Sequence, residues 1–141
     1  MLPTFAAGWS DLPRIGTAPR WACTMTCHRG DVVLVLFPDS NLRTSKRRPA
    51  LVVQADELGT GLQQTIVAMI ISNMARGGHP SRVVLPYADE SARQSGLLMD
   101  SVIMTDNLAT ILASEIDQVI GTLPDVTELD AALRRTLALN L

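Results

Sequence analysis

Aromatic residues and cysteines are scarce in this sequence, and each scarcity excludes a class of protein. The 141 residues include two Phe, two Trp, one Tyr and two Cys. A protein that holds single-stranded nucleic acid mainly by stacking its bases needs more aromatic side chains. A small disulfide scaffold needs more cysteines, and a bridge between Cys23 and Cys27 would close only a tiny loop. We therefore interpret both cysteines as free thiols in a reducing cytosol.

The sequence also lacks a metal-ligand set, a membrane span and a secretory signal. Cys23, Cys27 and His28 have no evident fourth ligand for a structural zinc site, so we expect no metal and no cofactor. No apolar run approaches the roughly 20 residues that cross a bilayer. The segment Met1–Ser10 contains no basic stretch of the kind that opens a secretory signal. We expect a cytoplasmic protein with no membrane contact.

Positive charge is not in excess over the whole chain, but it is concentrated in one region. The net charge is −2, which does not suggest a protein that coats nucleic acid. Between Arg29 and Arg48 there are five cations and two carboxylates, whereas from Ile111 onward there are two cations and five carboxylates. A single basic region in a mildly acidic molecule indicates a localised anion site.

The composition is that of one domain with an unusual N-terminal segment. Hydrophobic residues make up 47% of the chain, which suffices for one core. Residues 1–27 contain prolines, glycines and both tryptophans without a sustained apolar period, so we predict an irregular extension there. We further hypothesise that Met25 is an alternative start of translation. Residues 28–141 are predicted to form the single domain.

Short apolar segments separated by turn residues predict several strands. The five predicted strands are Asp31–Phe37, Ala50–Gln54, Thr65–Ile71, Arg82–Leu85 and Ser101–Thr105. Residues 109–112 either extend the fifth strand or follow it. Residues 38–48 are polar and basic, which predicts a surface loop.

The C-terminal segment has a different pattern, which is typical of an amphipathic helix. Asp125 and Glu128 resemble a capping box at its start. The apolar residues that recur at helical spacing are Val126, Leu129, Leu133 and Leu137. We therefore predict an α+β, mainly β fold, in which a small barrel or curled sheet packs on one helix.

The segment Lys46–Val53 carries the clearest functional signal. Three consecutive cations precede Pro49 and an apolar run. The residue before a proline is driven to extended geometry, and proline is tolerated as the first residue of a strand. Arg48 is thus predicted at the start of a strand, with its backbone fixed on both sides. Such a cation can be aimed at an anion, although residue type alone favours a solvated strand-end cation.

Five segments, in order, carry a family resemblance: Arg29–Val35, Phe37–Pro38 with the loop that ends in Lys46–Val53, Ile66–Ser72, Gly96–Ile103 and Ile120–Asp125. Together they resemble the MazF/PemK toxins of bacterial toxin–antitoxin systems. The agreement in order and spacing extends from Arg29 to about Leu139.

The resemblance implies an SH3-like small barrel of the PemK/CcdB type with a C-terminal amphipathic helix, assembled as a homodimer. It implies a metal-independent endoribonuclease that cuts single-stranded RNA, including mRNA, at short sequences. The implied partners are a cognate antitoxin protein and, only through the antitoxin complex, operator DNA. It also implies that Arg48 is catalytic and that its usual partner is a threonine at the end of the third strand.

The chemistry of the candidate catalytic residues follows from their types. In metal-independent cleavage the ribose 2′-hydroxyl attacks the phosphorus, and a guanidinium can donate two hydrogen bonds to phosphoryl oxygens. We assign Arg48 to charge stabilisation and to proton donation toward the leaving oxygen. Ile71 stands where the family has its threonine. Three outcomes stay open: Ser72 is re-aimed if the strand bulges or ends there, a loop group substitutes, or activity is low.

Further polar residues are candidates for RNA binding or, alternatively, for a merely solvated surface. They are Ser40, Asn41, Arg43, Ser45, Lys46 and Arg47 in the first loop and Asn73, Arg76 and His79 after the third strand. Binding by these groups relies on charge and is sensitive to salt. Two other functions remain as alternatives: a non-catalytic, CcdB-like poison of a protein such as DNA gyrase, and a decayed family member that only binds antitoxin.

Overall fold

The computed structural model describes residues 27–38 and 45–140. The predicted extension therefore lies outside the described residues except for Cys27, as do residues 39–44 of the predicted loop. The described strands are β1 (Asp31–Pro38), β2 (Ser45–Val52), β3 (Gln64–Ile71), β4 (Arg82–Leu85), β5 (Ser101–Leu112) and β6 (Ile116–Thr122). The helices are α1 (Glu90–Gln94) and α2 (Thr127–Leu137), with 3₁₀ turns at Met74–Gly77 and Ala113–Glu115.

The six strands form one antiparallel sheet in the order β4-β5-β3-β2-β1-β6. The predicted bounds of β1, β3 and β4 are confirmed to within one residue. The extension of the fifth strand through residues 109–112 is also confirmed. The mainly β fold with a C-terminal helix is thus the observed fold.

The prediction for the start of β2 is wrong. Pro49 does not open the strand, because β2 begins at Ser45 and pairs with β1 along its whole length. The described pairs with β3 begin only at Ala50, one residue after the proline. Pro49 has no N–H to donate, so this side of the ladder begins beyond it. The segment 45–48, predicted as loop, is therefore strand on its β1 side.

The strand β6 is not predicted from the sequence, because its pairing with β1 is irregular. Val35 pairs with Ile116 while Leu34 pairs with Gln118, which leaves Asp117 as an extra residue. A second shift follows between Val32 and Val33. An extra residue interrupts the alternation of apolar and polar side chains by which a strand is recognised in a sequence.

A larger irregularity bends β5 in its middle. Ala68 of β3 pairs with Leu108, whereas its neighbour Met69 pairs with Met104. Residues 105–107 therefore bulge out of the ladder, and such a bulge bends the strand that carries it. The bend lets the sheet curl.

Apolar side chains fill both faces of the curled sheet. The first set, here called the helix-side core, includes Leu34, Leu51, Ile103 and Leu129, all of which are buried. The second set, here called the inner core, consists of Val33, Val35, Ala50, Val52, Val67, Met69, Ile111 and Ile116. Because side chains alternate along a strand, neighbouring residues of β2 face different cores.

Polar contacts fix α2 on the helix-side core. The hydroxyl of Thr105, which is fully buried, donates to the carbonyl of Ser81 and bonds the hydroxyl of Thr136 at 2.7 Å. At the other end of the sheet, the Arg29 guanidinium donates to Val53 O at 3.0 Å and to Asp130 at 2.6 Å. These contacts join the helix to β5 and to the start of β1.

The predicted capping box of α2 is only partly present. The carboxylate of Asp125 accepts hydrogen bonds from the N–H and the hydroxyl of Thr127, and these bonds lower the pKa of Asp125. The helix begins at Thr127, and no side-chain hydrogen bond caps Val126. The Asp125 side chain therefore organises the turn before the helix, and Glu128 is too close to the helix start to complete the box.

The C-terminal end of α2 is strained, which gives a prediction about stability. Ala138 has φ 56 and ψ 45, a left-handed conformation that costs a residue with a Cβ about 1 kcal/mol. We expect Ala138→Gly to raise the free energy of unfolding by about 0.5–1 kcal/mol. The matched control is Ala131→Gly in the exposed middle of the same helix, which should lower it by about 1 kcal/mol. Urea denaturation followed by circular dichroism measures both, and an equal loss in the two variants would contradict the assignment of strain to Ala138.

Candidate functional site

Arg48 lies in β2 at the edge of the inner core. It pairs with Val35 of β1, and both Val35 and Ala50, two residues along β2, belong to that core. Directly paired residues and residues two apart share a face of the sheet, so Arg48 is on the inner-core face. Its side chain is half-buried. Within residues 27–38 and 45–140 no side chain or backbone group bonds its guanidinium, so its charge is available to an external anion.

Arg47 has the opposite environment, although it is the adjacent residue. Its guanidinium NH1 donates to Asp117 Oδ2 at 2.9 Å, and the two side chains are only 11% and 5% exposed. Arg47 pairs with Leu36 and shares its face of the sheet with Leu51, which belongs to the helix-side core. The structure thus places the two arginines of the motif on different faces.

The other basic and polar residues of the first loop are only partly described. Lys46 is exposed at the start of β2, opposite Phe37 of β1. Ser45 is the first residue of β2 and pairs with Pro38. The remaining candidates of this loop, Ser40, Asn41 and Arg43, lie outside the described residues.

Ile71, the residue that stands in place of the expected threonine, is the last residue of β3. The described pairs of β2 and β3 join Ala50 to Met69. Continuing this antiparallel register by two residues places Ile71 level with Arg48 on the same face. Ser72 is exposed and is the first residue beyond the strand. Because β3 ends at Ile71, the side chain of Ser72 does not have to follow the alternation of faces along the strand.

The 3₁₀ turn after β3 holds Asn73 and Arg76 just beyond the strand end formed by Ile71. Asn73 begins the turn, and its side-chain oxygen accepts from Ala75 N at 3.1 Å. Arg76 is exposed at its end, and its carbonyl accepts from the Arg82 guanidinium at 3.0 Å. A Cβ on Gly77 would lie 2.6 Å from the Val84 side chain, so the turn packs directly on β4. The position of this turn is fixed by contact and by hydrogen bonding.

The guanidinium that holds this turn is itself held by a carboxylate. Arg82 donates to both oxygens of Asp106, at 3.3 and 2.7 Å, in a forked arrangement. The hydrogen bond raises the pKa of Arg82 and lowers the pKa of Asp106. Asp106 lies in the bulge of β5, so this ion pair connects the bend of the sheet to the turn that carries Arg76.

His79 is oriented by its own loop. Its Nδ1 accepts from Ser81 N at 3.1 Å and contacts the Ser81 hydroxyl at 2.7 Å. A backbone N–H can only donate, so Nδ1 is the acceptor and Nε2 carries the proton of the neutral ring. His79 in this form presents a donor at Nε2 and no free basic nitrogen, which disfavours it as a general base.

A cavity of about 550 Å³ lies at the other end of β2. Val52 lines it together with the polar residues Gln54, Asp56 and Glu57. Val52 is four residues from Arg48, about 13 Å along a strand. The acidic lining is unsuited to a phosphate, so this cavity does not extend the site around Arg48. In the described part of the chain there is no group of three or more metal-ligating side chains, and no helix is long and apolar enough to cross a membrane.

Sequence reasoning missed Asp117, Arg82 and Asp106 as residues of this region. Arg47 and Asp117 are 70 residues apart, and Arg82 and Asp106 are 24 apart. Neither pair has a local spacing that signals contact. The excess of carboxylates after Ile111 is evident from the sequence, but it does not indicate which carboxylate forms an ion pair with which arginine.

The sequence of this chain is similar to a known protein family and to curated members of it. The family model described as the PemK-like, MazF-like toxin of type II toxin–antitoxin systems matches residues 28–137. Endoribonuclease MazF6 of Mycobacterium tuberculosis is 34% identical over 107 residues, which cover 74% of this chain and 90% of the relative. Endoribonuclease MazF2 of Mycobacterium bovis shows the same identity and coverage.

Solved structures show the same fold. A mycobacterial endoribonuclease in complex with its cognate antitoxin superposes with a TM-score of 0.61 at 19% identity, covering 82% of this chain and 99% of that one. A MazE-MazF complex from Deinococcus radiodurans gives 0.60 at 19% identity, covering 79% and 96%. The agreement supports the curled antiparallel sheet with its C-terminal helix as the fold of this chain.

The ion pair between Arg82 and Asp106 predicts a pH dependence of stability. Because the pKa of Asp106 is lowered in the folded protein, its stabilising contribution is present above the ordinary carboxyl pKa. That contribution is lost as the pH falls through the lowered folded value. We expect Asp106→Asn to be less stable than the wild type at pH 7, with the difference in melting temperature shrinking toward pH 3. A difference that stays constant between these pH values would contradict this, and Asp89→Asn is the control for removing an exposed carboxylate.

Proposed function

The chain belongs to the PemK-like, MazF-like toxin family of type II toxin–antitoxin systems, and we propose that it acts as an endoribonuclease through Arg48. One observation carries the proposal: a half-buried guanidinium, unbonded among the described residues, lies in the motif segment that resembles the family's catalytic one. We propose single-stranded RNA, including mRNA, as its substrate and residues 28–141 as the toxin domain.

The proposed reaction needs no metal. The ribose 2′-oxygen forms a bond to phosphorus, the bond to the 5′-oxygen breaks, and a 2′,3′-cyclic phosphate and a 5′-hydroxyl result. Arg48 stabilises the negative charge on the phosphoryl oxygens with paired hydrogen bonds and donates a hydrogen bond to the leaving 5′-oxygen, which takes its proton from water. Because arginine stays protonated in proteins, another group or water removes the 2′-hydroxyl proton.

The proposed RNA surface surrounds Arg48. Lys46 and Arg76 are exposed and supply phosphate contacts, while Asn73 and the Nε2 donor of His79 are candidates for contacts with bases or sugars. From the first loop we propose Ser40, Asn41, Arg43 and Ser45. We leave Arg47 out of the RNA contacts, because its guanidinium is buried against Asp117. Binding that depends on phosphate contacts weakens steeply with salt.

Ser72 is proposed as a second catalytic group that contributes less to the rate than the expected threonine would. Its hydroxyl is exposed just past the end of β3 and is not held level with Arg48 by the strand register. Ile71 occupies the level position and has nothing to donate. Since loss of one such donor typically costs about 10²–10³ in rate, we expect a slow enzyme.

The proposed partners follow from the family and its relatives. One superposed mycobacterial endoribonuclease is bound to its cognate antitoxin, so we propose an antitoxin as the protein partner of this chain. We further propose a cytoplasmic homodimer that reaches operator DNA only through the antitoxin complex.

Replacing Arg48 tests the proposed activity. We expect purified wild-type protein to cut a long single-stranded RNA at discrete positions in the presence of EDTA. Arg48→Ala should lower the rate by about 10²–10³-fold, because charge on the phosphoryl oxygens is no longer neutralised. Arg134→Ala, on the exposed face of α2, is the matched control and should cut normally. Equal rates for Arg48→Ala and the wild type would exclude Arg48, and no cleavage by any form would favour a non-catalytic toxin.

Placing a threonine at position 71 should increase the cleavage rate. Ile71→Thr keeps a β-branched residue at the end of β3 and adds a hydroxyl on the face of Arg48. We expect the cleavage rate to rise by about 10-fold or more. Ile71→Val shortens the side chain without adding a hydroxyl and should leave the rate unchanged. A rate measurement on the same RNA in which both variants match the wild type would contradict the register placement of Ile71.

A further inference from the structure

The ion pair between Arg47 and Asp117 is the most enclosed one among the described residues. Its two side chains are 11% and 5% exposed. In the bridge between Arg29 and Asp130 the corresponding values are 27% and 35%. Breaking a buried ion pair by removing one partner costs far more than breaking an exposed pair. The pair therefore constrains the two strands that carry it.

A bulge in the backbone of β6 directs the side chain of Asp117 toward Arg47. Asp117 is the extra residue of the irregularity in which Val35 pairs with Ile116 and Leu34 with Gln118. A bulge of this kind re-aims the side chain it contains. Arg47 is on β2, and β1 lies between the two strands. The ion pair thus reaches across β1 and connects strands that are not hydrogen-bonded neighbours.

This connection bears directly on Arg48. The first half of β2, from Ser45 to Pro49, has described partners on β1 alone, because its pairs with β3 begin at Ala50. The ion pair is an additional restraint on this half. Since side chains alternate along a strand, holding Arg47 on the helix-side face directs Arg48 to the other face. Pro49 restricts the backbone from the other side.

We propose that Asp117 is a positioning residue that holds Arg47 and thereby aims Arg48 at the scissile phosphate. This inference rests on the proposed function. Asp117 does not touch the RNA; it fixes the direction of the guanidinium that does. Misplacing a catalytic group by about 1 Å can cost about 10²-fold in rate, so the effect appears in kcat. Ground-state binding depends on the exposed cations and changes little.

The test compares Asp117→Asn with the wild type on an oligoribonucleotide whose cleavage site has been mapped with the wild type. We expect kcat to fall by about 10- to 100-fold and KM to change by less than about 2-fold. The same substitution is then made in an Arg48→Lys background, where no guanidinium fork remains to be aimed. There we expect it to lower kcat by less than about 3-fold.

Two controls separate positioning from general destabilisation. Asp130→Asn breaks the Arg29 bridge at the other end of the sheet and should lower the melting temperature without changing kcat. If Asp117→Asn does not fold, Arg47→Lys is measured in its place. This variant keeps the positive charge that faces Asp117 but removes the planar guanidinium. We expect its kcat to fall and its melting temperature to stay unchanged.

The outcomes are distinct. An equal loss of kcat from Asp117→Asn in the wild-type and Arg48→Lys backgrounds overturns the positioning role, as does a change confined to KM. Wild-type kcat in Asp117→Asn, or in Arg47→Lys where that variant stands in, overturns it as well. If Arg48→Lys and Arg48→Ala both cleave at the wild-type rate, the proposed function itself fails.

Discussion

Alternation of side chains along β2 is the constraint on which the candidate site depends. Arg47 and Arg48 are adjacent and chemically identical, yet one is buried in an ion pair and the other is unbonded among the described residues. An extended backbone cannot send both to the same face. The sheet therefore places Arg47 in an ion pair, to which the bulge at Asp117 contributes, and leaves Arg48 on the other face for the proposed chemistry.

The same alternation explains why the position of Ile71 matters. Extended by two residues beyond its last described pair, the register of β2 and β3 brings this residue level with Arg48, where a hydroxyl would share the face of the proposed catalytic arginine. Ser72 supplies a hydroxyl one residue later, beyond the end of β3, where the strand register does not fix its direction. The family fold is thus retained around a position where isoleucine replaces the expected threonine, and this replacement is the basis of the proposed reduced activity.

Much of the fold could be predicted because its strands are short, apolar and separated by turn residues. β1, β3 and β4 have uninterrupted patterns and were located closely. β6 and the first residues of β2 were not, because Asp117 interrupts one pattern and the cations of residues 46–48 resemble a loop. In both places pairing with β1 determines the structure, and a local pattern contains no information about a partner strand.

The sequence by itself determined the family resemblance, the run of three cations at residues 46–48, and the absence of a threonine at Ile71. These are properties of residue identity and order, which need no third dimension. Only the tertiary structure decided that Arg47 is neutralised by Asp117 and that Arg82 and Asp106 hold the turn carrying Arg76. Each of these contacts joins residues far apart in the chain, and their distance is set by strand order and bulges rather than by local preference.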